Sequence, residues 1–410
     1  MGKITNILHY YTRISLVWRI VIGMIIGAIL GLTLPSWTFI GILGNMFVSA
    51  LKAIAPLLVA VLVTASIAQA GEGHGRRFAM LISMYLLSTF IAALTAVVGS
   101  RLFPVTLQLV DAEIQENTIG SLSEVFSHLL IGMLENPVSA LADANYVAIL
   151  LWSTLIGLAF RSLASENTIA TLHELSDIIS KVVRWIIQLA PFGILGLVFT
   201  AVSENGLIIF TTYGRLLLLL VSCMTLTALV LNPLIAFLFT RRNPYPLLFT
   251  CLKESGLSAF FTRSSAANIP VNMSLSKRLG LDEEFYSVSI PLGATINMSG
   301  AAVTITVFSL AVAHTMGVEV SVPSAIFLSL IATFAACGTS GIAGGSLLLI
   351  PLACSFFGIG NDVAMQAVAV GFIIGVVQDS VETALNSSSD VFFTAVAEQY
   401  HIQKKRNLKH

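Results

Sequence analysis

The chain is short of charge. Asp, Glu, Lys and Arg together make up 10% of its 410 residues, where a soluble domain carries roughly 25%. The length would suit two or three soluble domains, but so few charges cannot cover a water-facing surface. An excess of either sign is missing too: 21 basic residues face 21 acidic ones. That leaves no electrostatic footprint for nucleic acid. No low-complexity tract accompanies the low charge, which excludes a disordered chain. Cysteine is scarce. Cys223, Cys251, Cys337 and Cys354 lie in apolar stretches with no C-x-x-C pair, so they read as small buried hydrophobes rather than as a zinc site or disulfide framework. What is abundant is apolar: 56% of residues, with a mean hydropathy of +0.90. Most of the chain is expected to be solvated by lipid.

A membrane helix needs about 20 mainly apolar residues. Candidate spans fall at 17–34, 41–70, 78–103, 145–160, 184–203 and 215–240, with two further long stretches at 284–316 and 361–398. The first has no small-residue cleavage pattern close behind it and reads as a retained span. Each of the last two stretches is preceded by a segment of another kind, 245–276 and 322–358, whose middle is rich in Ser, Gly, Ala and Thr. The tips, Thr262-Arg263-Ser264-Ser265 and Gly338-Thr339-Ser340-Gly341, make poor lipid-facing helix. Non-helical backbone at membrane depth is tolerated only inside protein or beside a water-filled cavity. Both segments are therefore read as re-entrant helical hairpins. The repeated order of hairpin then span predicts an inverted repeat, a transporter architecture with sites at the repeat interface.

Orientation follows from the basic residues. With eight alternating spans, Lys3, Arg13, Arg19, Arg76, Arg77, Arg161, Lys181, Arg184, Arg241, Arg242, Lys277, Arg278, Lys404, Lys405 and Arg406 fall on one side. The acidic 104–144 loop, with Asp111, Glu113, Glu116, Glu124, Glu135 and Asp143, falls on the other. Both termini of this multi-pass membrane protein are predicted to be cytoplasmic.

The last span carries Asp379, Glu382, Thr383, Asn386 and Asp390. Acids inside a membrane helix cost about 2.5–3.5 kcal/mol each on insertion scales, so they face the bundle interior. At about 100° per residue the five residues share one face about 100° wide and about 16 Å long. That is room for a small zwitterion and a cation. The seventh span contains Pro291-Leu292-Gly293-Ala294-Thr295-Ile296-Asn297-Met298-Ser299-Gly300. Pro and two Gly can unwind a helix there and free backbone carbonyls. Hard oxygen ligands of this kind suit Na⁺ rather than a soft transition metal. The hairpin tips offer helix N-termini and free N–H groups to a substrate carboxylate. Arg263 reads either as a snorkelling surface residue or as the partner of Asp379 or Glu382.

These motifs resemble the dicarboxylate/amino acid:cation symporter family, the glutamate-transporter fold, over essentially the whole chain. The resemblance implies an all-α membrane protein with eight transmembrane helices, two re-entrant hairpins and inverted repeats. It implies a six-span half, 1–240, whose spans 1, 2, 4 and 5 form a trimeric scaffold, and a transport core, 241–410, that moves with spans 3 and 6. By position it gives Ser264, Ser265, Gly341, Ile342, Asp379, Glu382, Thr383 and Asn386 to the substrate. One Na⁺ site takes Gly293, Asn297, Asn386 and Asp390. A second, near the gate, takes Thr295, Ala336, Cys337 and Thr339.

The departures from the family pattern carry the substrate expectation. Relatives that carry acidic substrates have Arg where this chain has Glu382, and a Thr hydroxyl where it has Ala301. An anion in place of that cation repels a dicarboxylate in a low-dielectric site. The expected substrate is a small neutral amino acid, and Glu382 could accept a hydrogen bond from a serine or threonine hydroxyl. Ser299 stands where relatives have an Asp that binds a third Na⁺, which points to a lower sodium ratio. Elevator-type symport of serine or threonine with Na⁺, by a homotrimer in a lipid bilayer, is the leading expectation. Alternatives are a symporter for another neutral or acidic amino acid, a basic substrate, proton coupling through Glu382, an ion channel, and an intramembrane protease using Ser265 or Ser299 with His314.

Overall fold

A computed structural model describes residues 14–69, 76–109, 131, 133–339 and 344–407. Gly341, Ile342 and most of the acidic 104–144 loop lie outside the described residues. Among the described residues every regular element is a helix. Five helical stretches are long and apolar enough to cross a bilayer, and a bent pair gives a sixth. The first and fourth expected spans form shorter apolar helices, Trp18–Thr33 and Ala148–Leu163.

The first half holds α1 (Leu16–Thr33), α2 (Gly41–Gln69), α3 (Arg76–Leu102), the short α4 (Pro137–Ala142) and α5 (Tyr146–Leu163). The expected fifth span, 184–203, is instead two helices, α6 (Glu166–Gln188) and α7 (Ala190–Asn205), bent by 51°. Pro191 sits in the first turn of α7. It has no N–H for the turn before it, so the α-helical ladder cannot run through. The sixth span is α8 (Ile209–Thr240), with a π-helical turn at Thr227–Leu231 just ahead of Pro233.

α1, α2, α5, α6 and α7 pack mainly on one another. Gly23, Gly27 and Gly31 form one face of α1, and a Cβ on them would come within 2.3, 2.4 and 2.8 Å of the backbone oxygens of Pro191, Leu195 and Phe199. Glycine at four-residue spacing lets the two helix backbones touch, the packing route open to helices that gain nothing hydrophobic by meeting in lipid. α3 and α8 pack instead with the second half.

The second half begins with a first hairpin. α9 runs through Tyr245–Cys251, a π-type Leu252–Gly256 and Leu257–Thr262, and α10 (Ser265–Arg278) returns. Arg263 makes the turn in a left-handed conformation, φ 50°. The seventh span is α11 (Glu283–Ile296) and α12 (Ser299–Thr315). Its break lies at Asn297–Met298, not at Pro291, which is accommodated inside α11. The second hairpin pairs α13 (Val322–Ala336) with α14 (Gly345–Ser355). The last span, α15, runs for 47 residues from Asn361 to Asn407.

At one end of this half, Arg77 of α3 reaches Asp282 at 2.8 Å and Glu398 at 3.6 Å, with its guanidinium 4.2 Å from the Phe285 ring centroid. The Arg77 hydrogen bond holds the Asp282 carboxyl below the usual carboxylate range. The cluster ties α3, the turn before α11 and α15 together.

Candidate functional site

α15 is the spine of the site. Its acids are buried, with Asp379 4%, Glu382 5% and Asp390 0% exposed, so each must find partners inside the protein. The polar residues of α15 meet both hairpins and the broken seventh span: Asp379 meets Arg263 and Gly344, Glu382 meets Ser346 and Thr304, Asn386 meets Gly300, and Asp390 meets Asn297.

Asp379 is held from both hairpins. Arg263 Nε at the first tip lies 3.9 Å from its Oδ2. The Gly344 N–H at the second tip donates to its Oδ1 at 3.1 Å. Of the two readings of Arg263, the internal ion pair is the one present, and its partner is Asp379. These three residues open on a small cavity walled by Leu16, Ile20, Ile187, Ala190 and Phe372. A larger cavity of about 570 Å³, beside Ser100, Arg101 and His314, includes none of the residues expected to hold substrate or Na⁺.

Ser264 caps α10, its hydroxyl accepting the Ala267 N–H at 3.2 Å, and Ser265 is buried at the first turn. The Thr383 hydroxyl donates to the Asp379 carbonyl at 2.7 Å, so its lone pairs are what it can offer a ligand. Asn386 meets the N-terminus of α12: its Oδ1 accepts the Gly300 N–H at 2.7 Å. The helices touch there, since a Cβ on Gly300 would lie 2.9 Å from the Glu382 carbonyl oxygen.

Around Asp390 the residues expected at the first Na⁺ site do converge. Asn297 Nδ2 donates to Asp390 Oδ1 at 2.8 Å, to Ser389 Oγ at 2.7 Å and to the Asn386 carbonyl at 3.3 Å. Gly293 packs so close that a Cβ on it would lie 2.6 Å from Asp390 Oδ1. Its carbonyl accepts the Asn297 N–H at 2.9 Å, leaving one lone pair. Asp390 Oδ2 and Asn297 Oδ1 are buried with no hydrogen-bond partner. Orphaned oxygens in a buried site call for a ligand. Two such oxygens with freed carbonyls form a hard donor set that fits an alkali cation.

The second expected site is joined through hairpin 2. Cys337 Sγ contacts the Ile296 carbonyl at 3.6 Å, which sets the end of α13 against the break in the seventh span. The Ala336 carbonyl, however, accepts both the Thr339 N–H at 3.0 Å and the Thr339 hydroxyl at 2.9 Å. Both of its lone pairs are used within the tip in this conformation. Ser299 Oγ is buried without a hydrogen-bond partner.

Some partners escaped the sequence reading. Glu382 is gripped by Thr304, Ser346 and Gln378. Tyr85 of α3 sets its hydroxyl 3.3 Å from both the Asp390 carbonyl and Thr394 Oγ1. Only Gln378 left a local signal, four residues before Glu382 on the same helix. The protease reading loses one of its pairs: Ser299 and His314 lie 15 positions apart on α12, about 22 Å along the axis.

Two hairpins meeting a broken helix over a buried carboxylate stripe define a membrane transporter core. The sodium:dicarboxylate symporter family matches residues 16–400, and the chain belongs to it. That family consists of transporters rather than enzymes. Proteins named "Serine/threonine transporter SstT" are close relatives. The one from Bifidobacterium adolescentis is 57% identical over 410 residues, covering 99% of this chain and 95% of that protein. One from Streptococcus thermophilus is 56% identical over 395 residues, 96% and 98% of the two chains. One from Streptococcus agalactiae is 54% identical over 399 residues, 97% and 99%. The protein is thus a multi-pass helical membrane protein of a symporter family.

Proposed function

We propose that the chain imports serine and threonine in symport with Na⁺ across the bacterial inner membrane. The observation that carries the reading is the acid at position 382, buried among neutral donors beside the Asp379–Arg263 pair. Arg263 is matched by Asp379, so among the described residues of the site no cation is left over for a substrate side-chain carboxylate. The names of the relatives support the same substrate class.

In this reading Asp379 takes the substrate amino group, with Thr383 beside it. Asn386, Ser265, Ser264 and the Gly341–Ile342 backbone take the carboxylate. Na⁺ enters as a co-substrate at Asp390, Asn297, Asn386 and the Gly293 carbonyl, and near Thr295, Cys337 and Thr339 at the gate. Alternating access proceeds by an elevator. Spans 1, 2, 4 and 5 form the fixed scaffold of a trimer, and the 241–410 core travels with α3 and α8. The packing of α1, α2, α5, α6 and α7 on one another, and of α3 and α8 on the core, supports that division. Both termini face the cytoplasm.

The test is uptake of labelled serine into proteoliposomes, with and without an inward Na⁺ gradient. Gradient-dependent, saturable uptake is expected. Sodium-independent uptake removes the coupling, and preference for aspartate over serine removes the role of Glu382.

A further inference from the structure

Glu382 is not free to turn toward whatever enters the site. Its Oε2 accepts from Thr304 Oγ1 at 2.6 Å, Gln378 Nε2 at 2.5 Å and Ser346 Oγ at 2.9 Å. The donors come from three different elements: α12, α15 and α14. They also hold one another, since Gln378 Nε2 donates to Thr304 Oγ1 at 2.7 Å. Thr304 and Gln378 are 0% exposed and Ser346 1%. A carboxylate oxygen offers about two lone-pair sites. Three donors therefore saturate Oε2, and none of these contacts involves Oε1.

We propose that Thr304, Ser346 and Gln378 are positioning residues that lock Glu382 by one oxygen. The other oxygen is left for the hydroxyl of a serine or threonine substrate. The clamp rests on the reading of this site as one for hydroxylated amino acids, and deepens it. Ser346 adds a condition. It follows by two residues the Gly344 whose N–H donates to Asp379. The return arm of hairpin 2 is thereby fastened to α15 through two acids, the one assigned to the substrate amino group and the one assigned to its side chain. The clamp is complete only while this arm lies against α15. A substrate without a hydroxyl, such as alanine, makes no use of Oε1 and should not sense the clamp.

The experiment compares KM for serine, threonine and alanine in proteoliposomes holding the full chain, wild type against Ser346→Ala and Thr304→Val. Each variant removes one donor from Oε2. KM for serine and threonine is expected to rise about three- to tenfold, the effect of loosening one buried hydrogen bond. KM for alanine is expected to stay within about twofold on the same argument. Ser346→Thr and Thr304→Ser, which keep the hydroxyl, should restore the serine preference. A parallel shift for serine and alanine, or no shift in either variant, overturns the clamp and leaves these residues structural. If Ser346→Ala does not fold, Thr304→Val tests the same oxygen from the other side. A wild-type chain that carries no serine instead refutes the substrate reading. A wild-type chain that carries serine, with variants of unchanged selectivity, refutes the clamp alone.

Discussion

Gly293→Ala separates helix propensity from site chemistry. Gly293 lies inside α11, where alanine is favoured over glycine by about 1 kcal/mol. On propensity alone the substitution stabilises. The packing argues the other way. The added methyl would lie 2.6 Å from Asp390 Oδ1, 2.8 Å from its Cγ and 2.9 Å from the Tyr85 hydroxyl. Ordinary contact begins at 3.4 Å, so the carboxylate must retreat by about 0.8 Å. It has little room. Asp390 is 0% exposed, and its Oδ1 is held by Asn297. Overpacking of this kind typically costs about 1–3 kcal/mol. If the cost falls on the cation-bound state, it corresponds to about a 5- to 150-fold loss of sodium affinity. The assay is the initial rate of serine uptake against external Na⁺. The sodium concentration for half-maximal rate is expected to rise by that factor, with serine KM at saturating Na⁺ changed less than about threefold. Unchanged sodium dependence would refute the assignment of Gly293 and Asp390 to a cation site.

Two further outcomes are expected. Asp282 has a folded-state value lowered by Arg77, so its contribution to stability is full above the unfolded carboxyl value of about 3.9 and is lost as pH falls through the lower folded value. Asp282→Asn should lower Tm at pH 7 in detergent, the difference should be flat from about pH 5 to 8, and it should close below the carboxylate range; a gap that persists at low pH refutes the pairing. Glu382→Arg should abolish serine uptake without conferring aspartate uptake, read as competition between the two labelled substrates. Aspartate transport by this single variant would refute the role of the three surrounding donors.

Much of the fold was legible because lipid enforces simple rules. Long apolar runs had to be helices, and Ser- and Gly-rich tips inside them had to sit in protein. The acid stripe on α15 could be phased because one helix carries all of it. Local chemistry was harder to place. Pro191 divides the fifth span because it falls in the first turn of a new helix, whereas Pro291 sits within α11 and leaves the break to Asn297, whose side chain is held by α15. The spacing of Gly23, Gly27 and Gly31 was readable in the sequence, but their backbone partners on α7 were not. The grip on Glu382 was hidden for a different reason. Thr304, Ser346 and Gln378 come from three elements, and no local pattern brings the first two to the third.

Those three residues also explain why position 382 cannot be read as a simple charge switch. Arg263, Asp379 and Glu382 leave the site one negative charge in excess when all are ionised. A zwitterionic substrate adds none, while an acidic amino acid adds another. Arginine at 382 would reverse the balance by two charges, which on electrostatics alone favours the acidic substrate. The surroundings oppose it. A guanidinium brings only donors, and it would meet Thr304, Ser346 and Gln378, which now donate to the carboxylate. Hydroxyls can rotate to accept, and Gln378 Oε1, buried without a partner, could turn toward the cation. The hydroxyls would then lose the acceptor they have, and Thr304 would remain the acceptor for Gln378 Nε2. Ala301 offers no hydroxyl to a side-chain carboxylate. The substrate class is therefore set by the acid and its shell of donors together, and changing it requires changing both.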